Sequence, residues 1–261
     1  MIRVVPRTEE ILGHRITSSG GSVMITGIAD CLESAGVPRF LACANPHSLV
    51  EGRRDAAFRE ALISADWLIP DGVGIVVASR ILGGTIRARF TGTDAFLGLS
   101  RAFNEKGNYR CFFLGATGAT LDRVATRYQR DFDRLTVAGG LAPEFKDEFG
   151  SDDDQRMVDA VNTSHADVLW VGMSAPKQEK WVFRNRHRLN VRFIGAIGAV
   201  FDFYAGTRRR SPQWALKTGL EWLPRLLWEP RRLWRRTLIS APVFLWLVLR
   251  ERVGRQRGAR P

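Results

Sequence analysis

Asp71 ends a short apolar run, Trp67-Leu68-Ile69-Pro70, and is followed by Gly72 and Gly74. A carboxylate at a strand end, held against an apolar wall that raises its pKa, suits a general base. The same place suits a helix N-cap, and the residues alone leave both roles open. Asn45 and His47 close an earlier apolar run and would face the same cleft if the two runs are neighbours. In Pro176-Lys177-Gln178-Glu179-Lys180-Trp181, Lys177 would counter a phosphate and Gln178 would hydrogen-bond a sugar or a base. Lys180 and Trp181 read as surface and packing. The triplet Asp152-Asp153-Asp154 invites a divalent cation, but it opens a helical segment, where the helix dipole favours acidic residues. Capping is the expected role there. No Cys/His cluster has zinc spacing, so no metal and no cofactor are expected.

These residues need elements to hold them. Strand-like runs fall at 39–44, 67–70, 110–114, 135–138, 167–171 and 191–194. Between them Leu121, Val124, Ala125, Tyr128 and Phe132 share one helical face, as do Met157, Val158 and Val161 after an N-cap at Ser151. Strand, helix, strand in repetition predicts an α/β fold, a Rossmann-like and mostly parallel sheet with flanking helices. In such sheets ligands bind beyond the C-terminal strand ends. Glycine-bearing loops follow several runs, among them Leu114-Gly115-Ala116-Thr117-Gly118 and Gly195-Ala196-Ile197-Gly198. They suit either tight turns or the approach of backbone N–H groups to an anion. None is a complete G-x-G-x-x-G fingerprint.

The chain has 261 residues, 45% of them hydrophobic and 25% charged, which excludes a disordered or collagenous protein. Three cysteines leave one over in any pairing and suit a reduced, cytoplasmic interior. Residues 1–17 lack the apolar stretch of a secretory signal. The net charge of +12 is concentrated: residues 208–261 carry 14 basic and 3 acidic side chains, the remaining 207 carry 25 and 24. Five of the eight tryptophans lie in that tail among the arginines. The division expected is a core over 1–206 and a basic, Trp/Arg-rich helical appendage over 207–261. The apolar run 237–249 contains Pro242 and is shorter than the about 20 residues a spanning helix needs. It would lie on an anionic membrane surface rather than cross it, or pack as an ordinary helix on the core, and the two can coexist.

Taken together, the motifs resemble those of the bacterial WecG/TagA/CpsF glycosyltransferase family, from about Gly13 to Arg236. The resemblance rests on a Thr-x-Asn strand end (here Cys43-Ala44-Asn45, with cysteine for the usual threonine) and on Asp71-Gly72-Val73-Gly74. It rests further on Arg89-Phe90-Thr91-Gly92-Thr93-Asp94, on a Gly…Pro-x-Gln-Glu-x-Trp stretch from Gly172 to Trp181, and on Phe201-Asp202. The tail adds Gly219-Leu220-Glu221-Trp222 and Glu229-Pro230-Arg231-Arg232. The resemblance implies an inverting, metal-independent transfer from a UDP-sugar to a polyprenyl-diphosphate-linked sugar. That work belongs to cell-surface polymer synthesis, on the cytoplasmic face of the membrane. It implies Asp71 as base, with Asn45, Arg89 and Gln178 lining the donor and acceptor pocket; His47, Asp94, Gly115, Lys177 and Asp202, in the same motifs and loops, are expected as further substrate-binding residues. Arg225, Arg231 and Arg232 would reach the leaving diphosphate, and the chain is open to homo-oligomer formation.

Other readings compete. A nicotinamide-dependent oxidoreductase would use the same sheet, but it lacks the fingerprint and leaves the tail unexplained. A nucleic-acid-binding protein would use tail arginines for phosphates and tryptophans for stacking. The run of Leu238, Ile239, Val243, Phe244, Leu245, Trp246, Leu247, Val248 and Leu249 has no use in such an arm, so no nucleic acid is expected. A non-catalytic membrane adaptor is the third.

Overall fold

The computed structural model describes residues 6–33, 36–209, 211–212, 214–215 and 222–258, with the side chains of Cys31, Arg225 and Arg232 outside the description. Six parallel strands form the sheet: β3 (Arg39–Ala44), β4 (Trp67–Pro70), β5 (Arg110–Gly115), β6 (Thr136–Leu141), β7 (Val168–Gly172) and β8 (Phe193–Ala196), in the order β4-β3-β8-β7-β5-β6. All six coincide within a few residues with the runs read from sequence. A strand buried on both faces is apolar throughout, and that makes five of these runs stand out; the edge strand β6 is only partly buried.

Side chains alternate cleanly between two cores. Phe40, Ala42, Phe112, Leu114, Leu169, Val171 and Ile194 point to one face; Leu41, Cys43, Cys111, Phe113, Val168, Trp170 and Phe193 point to the other. The first face is covered by α2 (Pro46–Glu51), α3 (Ala56–Ile63), α4 (Val73–Leu82), α7 (Ser151–Thr163) and α8 (Lys177–Asn185). The second is covered by α1 (Gly21–Cys31), α5 (Gly92–Lys106), α6 (Gly118–Asp131) and α9 (Val200–Tyr204). The expected N-cap at Ser151 moves back one residue: Gly150 caps α7, and the Asp153 carboxylate accepts the Gly150 N–H at 3.2 Å.

Two features lay outside the sequence reading. β1 (Thr8–Ile11) and β2 (His14–Thr17) form an antiparallel hairpin whose two turn residues, Leu12 and Gly13, both have positive φ. That is the backbone of a primed hairpin turn, usually announced by Asn-Gly, and leucine in this conformation hides it. The second feature is the tail. After α10 (Trp222–Trp228) and α11 (Pro230–Trp234), the chain makes a π-helical turn over Arg235–Ser240 and continues as α12 (Ala241–Gly258). Phe244, Leu247 and Val248 of α12 are buried in the first core beside α2 and α4. The Leu12 N–H donates to Glu251 at 2.9 Å, tying the hairpin turn to α12. The end of the appendage is thus part of the core.

Candidate active site

β5 and β7 are neighbours whose onward connections run to opposite sides of the sheet, β5 to β6 and β7 to β8. Diverging connections open a crevice above the strand ends. A cavity of about 1280 Å³ lies there, and the tail forms its outer wall. A single small-ligand pocket has about 300–1,000 Å³, so this one has room for two substrate head groups.

Asp71 lines the cavity, half-buried, with its N–H donated to the Ala44 carbonyl at 2.8 Å. It does not cap α4: the N-cap is Gly72, which has φ +101°. Gly74 lies against Pro46, and a Cβ there would stand 2.3 Å from Pro46 Cγ. The Asp-Gly-x-Gly spacing therefore brings Asp71 and Asn45 to one rim, with one glycine for the backbone turn and one for close approach. Gly74→Ala is expected to destabilise the fold by about 1–3 kcal/mol, the usual cost of overpacking, read as a lowered melting temperature. A melting temperature equal to wild type would contradict this packing.

Asn45 caps α2. Its Oδ1 accepts from the Ser48 N–H at 3.1 Å, which leaves the Nδ2 end of the amide as the one to donate to a ligand. His47 lines the cavity, and its Nδ1 is 2.9 Å from Ser240 Oγ, linking α2 to the π turn. Burial and the nearby Arg236 hold its pKa below the usual histidine value. Arg89 is on the wall as expected. Asp94 is there too, but its carboxylate closes a capping box, accepting the Thr91 N–H and Oγ–H at 2.9 and 2.8 Å.

Gly115 is not on the wall; Ala116 and Thr117 are. Gly115 has φ +119°, and a Cβ would meet the Gly172 carbonyl at 2.7 Å, so it serves strand packing. Pro176 is the N-cap of α8, and Lys177 follows it. Lys177 donates to the Lys146 carbonyl and sits over the Phe145 ring at 4.9 Å, under a loop that overhangs the cavity. The Gln178 amide is engaged at both ends: Nε2 donates to Glu179 at 2.8 Å and Oε1 accepts from the Gly198 N–H at 3.1 Å. It positions the wall.

Gly172 carries Phe201 on its backbone, where a Cβ would stand 2.2 Å from the ring. This close seat delivers Asp202 to the cavity, paired with Arg208 at 3.1 Å; Arg208 in turn meets Glu229 of the tail at 3.1 Å. Among the described residues, the tail arginines at the cavity are Arg208 and, from the π turn, Arg235 and Arg236. Arg231 is exposed and not on the wall, and the side chains of Arg225 and Arg232 lie outside the described residues.

Two buried titratable residues of the wall, Cys43 and Glu179, were among those given no site role from sequence. Cys43, in the threonine position, is buried, and its thiol faces the Ala196 carbonyl at 3.6 Å. Burial, with Asp71 and Glu179 adding, pushes its pKa well up. Glu179 is also buried, and desolvation raises its pKa to about 7 against the pull of the Gln178 hydrogen bond and of Arg236. Its signal was in the sequence: Gln178, Glu179, Trp181, Val182 and Asn185 make one buried helical stripe.

Among the described residues no three His, Cys, Asp or Glu side chains converge on a metal-binding geometry. Asp153 pairs with Lys146 at 2.9 Å and Asp154 with Arg184 at 3.3 Å. Chemically the cavity combines a half-buried carboxylate with several cations, the arrangement needed to deprotonate a hydroxyl beside an anionic leaving group.

Comparison with known proteins agrees. Residues 9–258 match the model of the WecG/TagA/CpsF glycosyl transferase family. The N-acetylglucosaminyldiphosphoundecaprenol N-acetyl-beta-D-mannosaminyltransferase of Bacillus spizizenii strain W23 is 31% identical over 211 residues, covering 81% of this chain and 79% of that protein. The protein of the same name from Bacillus subtilis strain 168 is 26% identical, covering 87% of each. A third, from Staphylococcus aureus strain MW2, is 26% identical over 80% of this chain and 79% of its own. A glycosyl transferase match over nearly the whole chain leaves the dehydrogenase, nucleic-acid and adaptor readings without support, and the protein is an enzyme of the WecG/TagA/CpsF glycosyl transferase family.

Proposed function

We propose that the protein transfers N-acetylmannosamine from its UDP derivative to N-acetylglucosamine carried on undecaprenyl diphosphate, in building a cell-surface polymer. The observation that carries this reading is Asp71 on the wall of a cavity that also presents Arg89, Lys177, Arg208, Arg235 and Arg236. The relatives' names supply the sugar and the acceptor. The acceptor hydroxyl is a weak nucleophile and gives its proton to Asp71 as its oxygen bonds to the donor's anomeric carbon. The bond from that carbon to the diphosphate oxygen breaks in the same displacement, which inverts the centre. Charge gathers on UDP, and the guanidinium groups, whose planar forks match phosphate oxygens, neutralise it without a metal ion. Release of UDP from UDP-N-acetylmannosamine, dependent on a short-chain lipid-diphosphate N-acetylglucosamine acceptor and insensitive to EDTA, is the expected result. No UDP release with this pair, or loss of activity to EDTA and its return with Mg²⁺, would overturn the corresponding part.

The acceptor brings the enzyme to a membrane, and we place it on the cytoplasmic surface. No helix among the described residues is long and apolar enough to cross a bilayer. The tail instead exposes Trp228, Trp234, Leu238, Leu245, Trp246 and Leu249 beside Arg231, Arg235 and Arg250. Exposed aromatic and basic side chains suit the headgroup layer of anionic lipid, where each basic residue contributes about 1 kcal/mol. The double change Leu245→Glu with Trp246→Glu touches exposed positions, 43% and 57% accessible, and spares Phe244 and Leu247. It is expected to weaken sedimentation with anionic vesicles about tenfold or more, since each interfacial side chain is worth on the order of 1.5 kcal/mol. Unchanged sedimentation would remove this face from the membrane contact.

A further inference from the structure

Glu179 takes no part in the transfer described above, yet it is 2% exposed on the cavity wall. Its Oε1 accepts from Gln178, while its Oε2 is buried and has no hydrogen-bond partner among the described residues. Buried acceptors are rarely left so, and one beside a binding site asks for a role. Gln178 passes the contact on to the Gly198 N–H, in a turn that itself lines the cavity.

Among the described residues, the following titratable and charged groups lie on its helix or share its wall. Lys177 and Lys180, on its own helix, are turned to the Lys146 carbonyl and to Asp55. From the strand ends come Asp71 and Cys43, and from α2 comes His47, bonded to Ser240. Among the described residues the cation that acts on Glu179 is Arg236 of the π turn, which also acts on Cys43 and His47. Arg236 is therefore shared between the core's buried carboxylate and whatever anion enters the cavity.

We propose that Glu179 is a charge-balancing, positioning residue of the donor site: it steadies Arg236 and the Gln178–Gly198 turn while the site is empty, and takes a proton on Oε2 when a diphosphate engages the arginine. The inference rests on the donor reading above. A diphosphate brings negative charge to a low-dielectric wall and withdraws the cation's help, and both changes favour the neutral carboxyl. The proton comes from solvent. Protonated Glu179 keeps an oxygen to accept from Gln178, so the link to Gly198 survives. Burial already holds the carboxyl near pH 7, where a modest change of field is enough to shift its charge.

The test is calorimetric binding of UDP-N-acetylmannosamine in buffers of different ionisation enthalpy, with UDP in parallel. A UDP-sugar does not titrate near neutrality, so any proton exchanged belongs to the protein. The wild type is expected to take up about half a proton per diphosphate bound at pH 7, and its Kd to rise as the pH is raised above that. Glu179→Gln, which keeps the acceptor for Gln178, should bind with no uptake and a Kd indifferent to pH. Should that variant not fold, the wild-type Kd alone decides: constancy from pH 6 to 8 overturns the proposal. Uptake that persists in the folded variant also overturns it, by assigning the proton elsewhere. Binding without proton linkage sinks this inference and leaves the donor reading standing. If neither UDP-N-acetylmannosamine nor UDP binds, both fall.

Discussion

Asp71→Asn is expected to lower turnover by about 10²-fold or more while the fold and donor affinity stay near wild type. The substitution keeps the side chain's size and its place on the rim, and removes only the capacity to take a proton at neutral pH. Among the described lining carboxylates, Asp71 is the one that directly follows a strand of the sheet, and the others have structural roles of their own. Asp94 is bound into the capping box of α5, Asp202 is paired with Arg208, and Glu179 is buried and accepts from Gln178. Glu51 and Glu144 sit by Arg54 and Lys146, at 3.6 and 3.3 Å. The measurement is initial UDP release at saturating substrates, with donor Kd determined separately. A folded variant that turns over at the wild-type rate would take the base away from Asp71.

The largest loss of stability is expected from Phe201→Ala. Phe201 is fully buried and meets Phe113 and Phe96 edge-on at 5.6 and 6.3 Å between ring centres. It also fills the space above Gly172, so the wild-type backbone has no side chain to move into the gap. Truncating a buried phenylalanine costs about 3–5 kcal/mol. For a chain of this size that lowers the melting temperature by roughly 6–20 °C. Activity at a permissive temperature should fall as well, because Asp202 and its Arg208 partner lose their seat. A change of less than about 2 °C would mean that the site relaxes around the hole.

The sheet was legible because five of its six strands, all but the edge strand β6, are buried along nearly their whole length, so each appears as an apolar run between glycine-bearing loops. The rim was legible for the same reason: Asn45, Asp71, Ala116 and Met173 each lie within two residues of a strand end, and the parallel topology puts those ends on one edge. What each rim residue does was less legible. Asp94 and Gln178 have the right chemistry for ligands, but backbone N–H groups three to twenty residues away claim it first. The tail misled in a different way. Residues 243–249 are apolar all round, so the helical period of Phe244, Leu247 and Val248 is masked by Leu245, Trp246 and Leu249, and periodicity cannot say which face is packed. The boundary at 206/207 falls across one cavity, whose lining comes from both sides of it.

The π turn at Arg235–Ser240 bears on how this tail tolerates insertions and deletions. A uniform α-helix has no slack, since one residue more or fewer turns everything beyond it by about 100°. A π turn is such an extra residue already absorbed, widened locally so that the helix on either side keeps its bearing. Arg235 and Arg236 enter the cavity from within it, while Phe244, Leu247 and Val248 grip the core beyond it. The two sets therefore follow separate phases of one helix. A residue lost inside the π turn can be taken up by its return to α geometry, with both faces still aimed as they are. The same loss between Ala241 and Val248 would break the grip on the core, so length is elastic in this tail at one place and rigid beyond it.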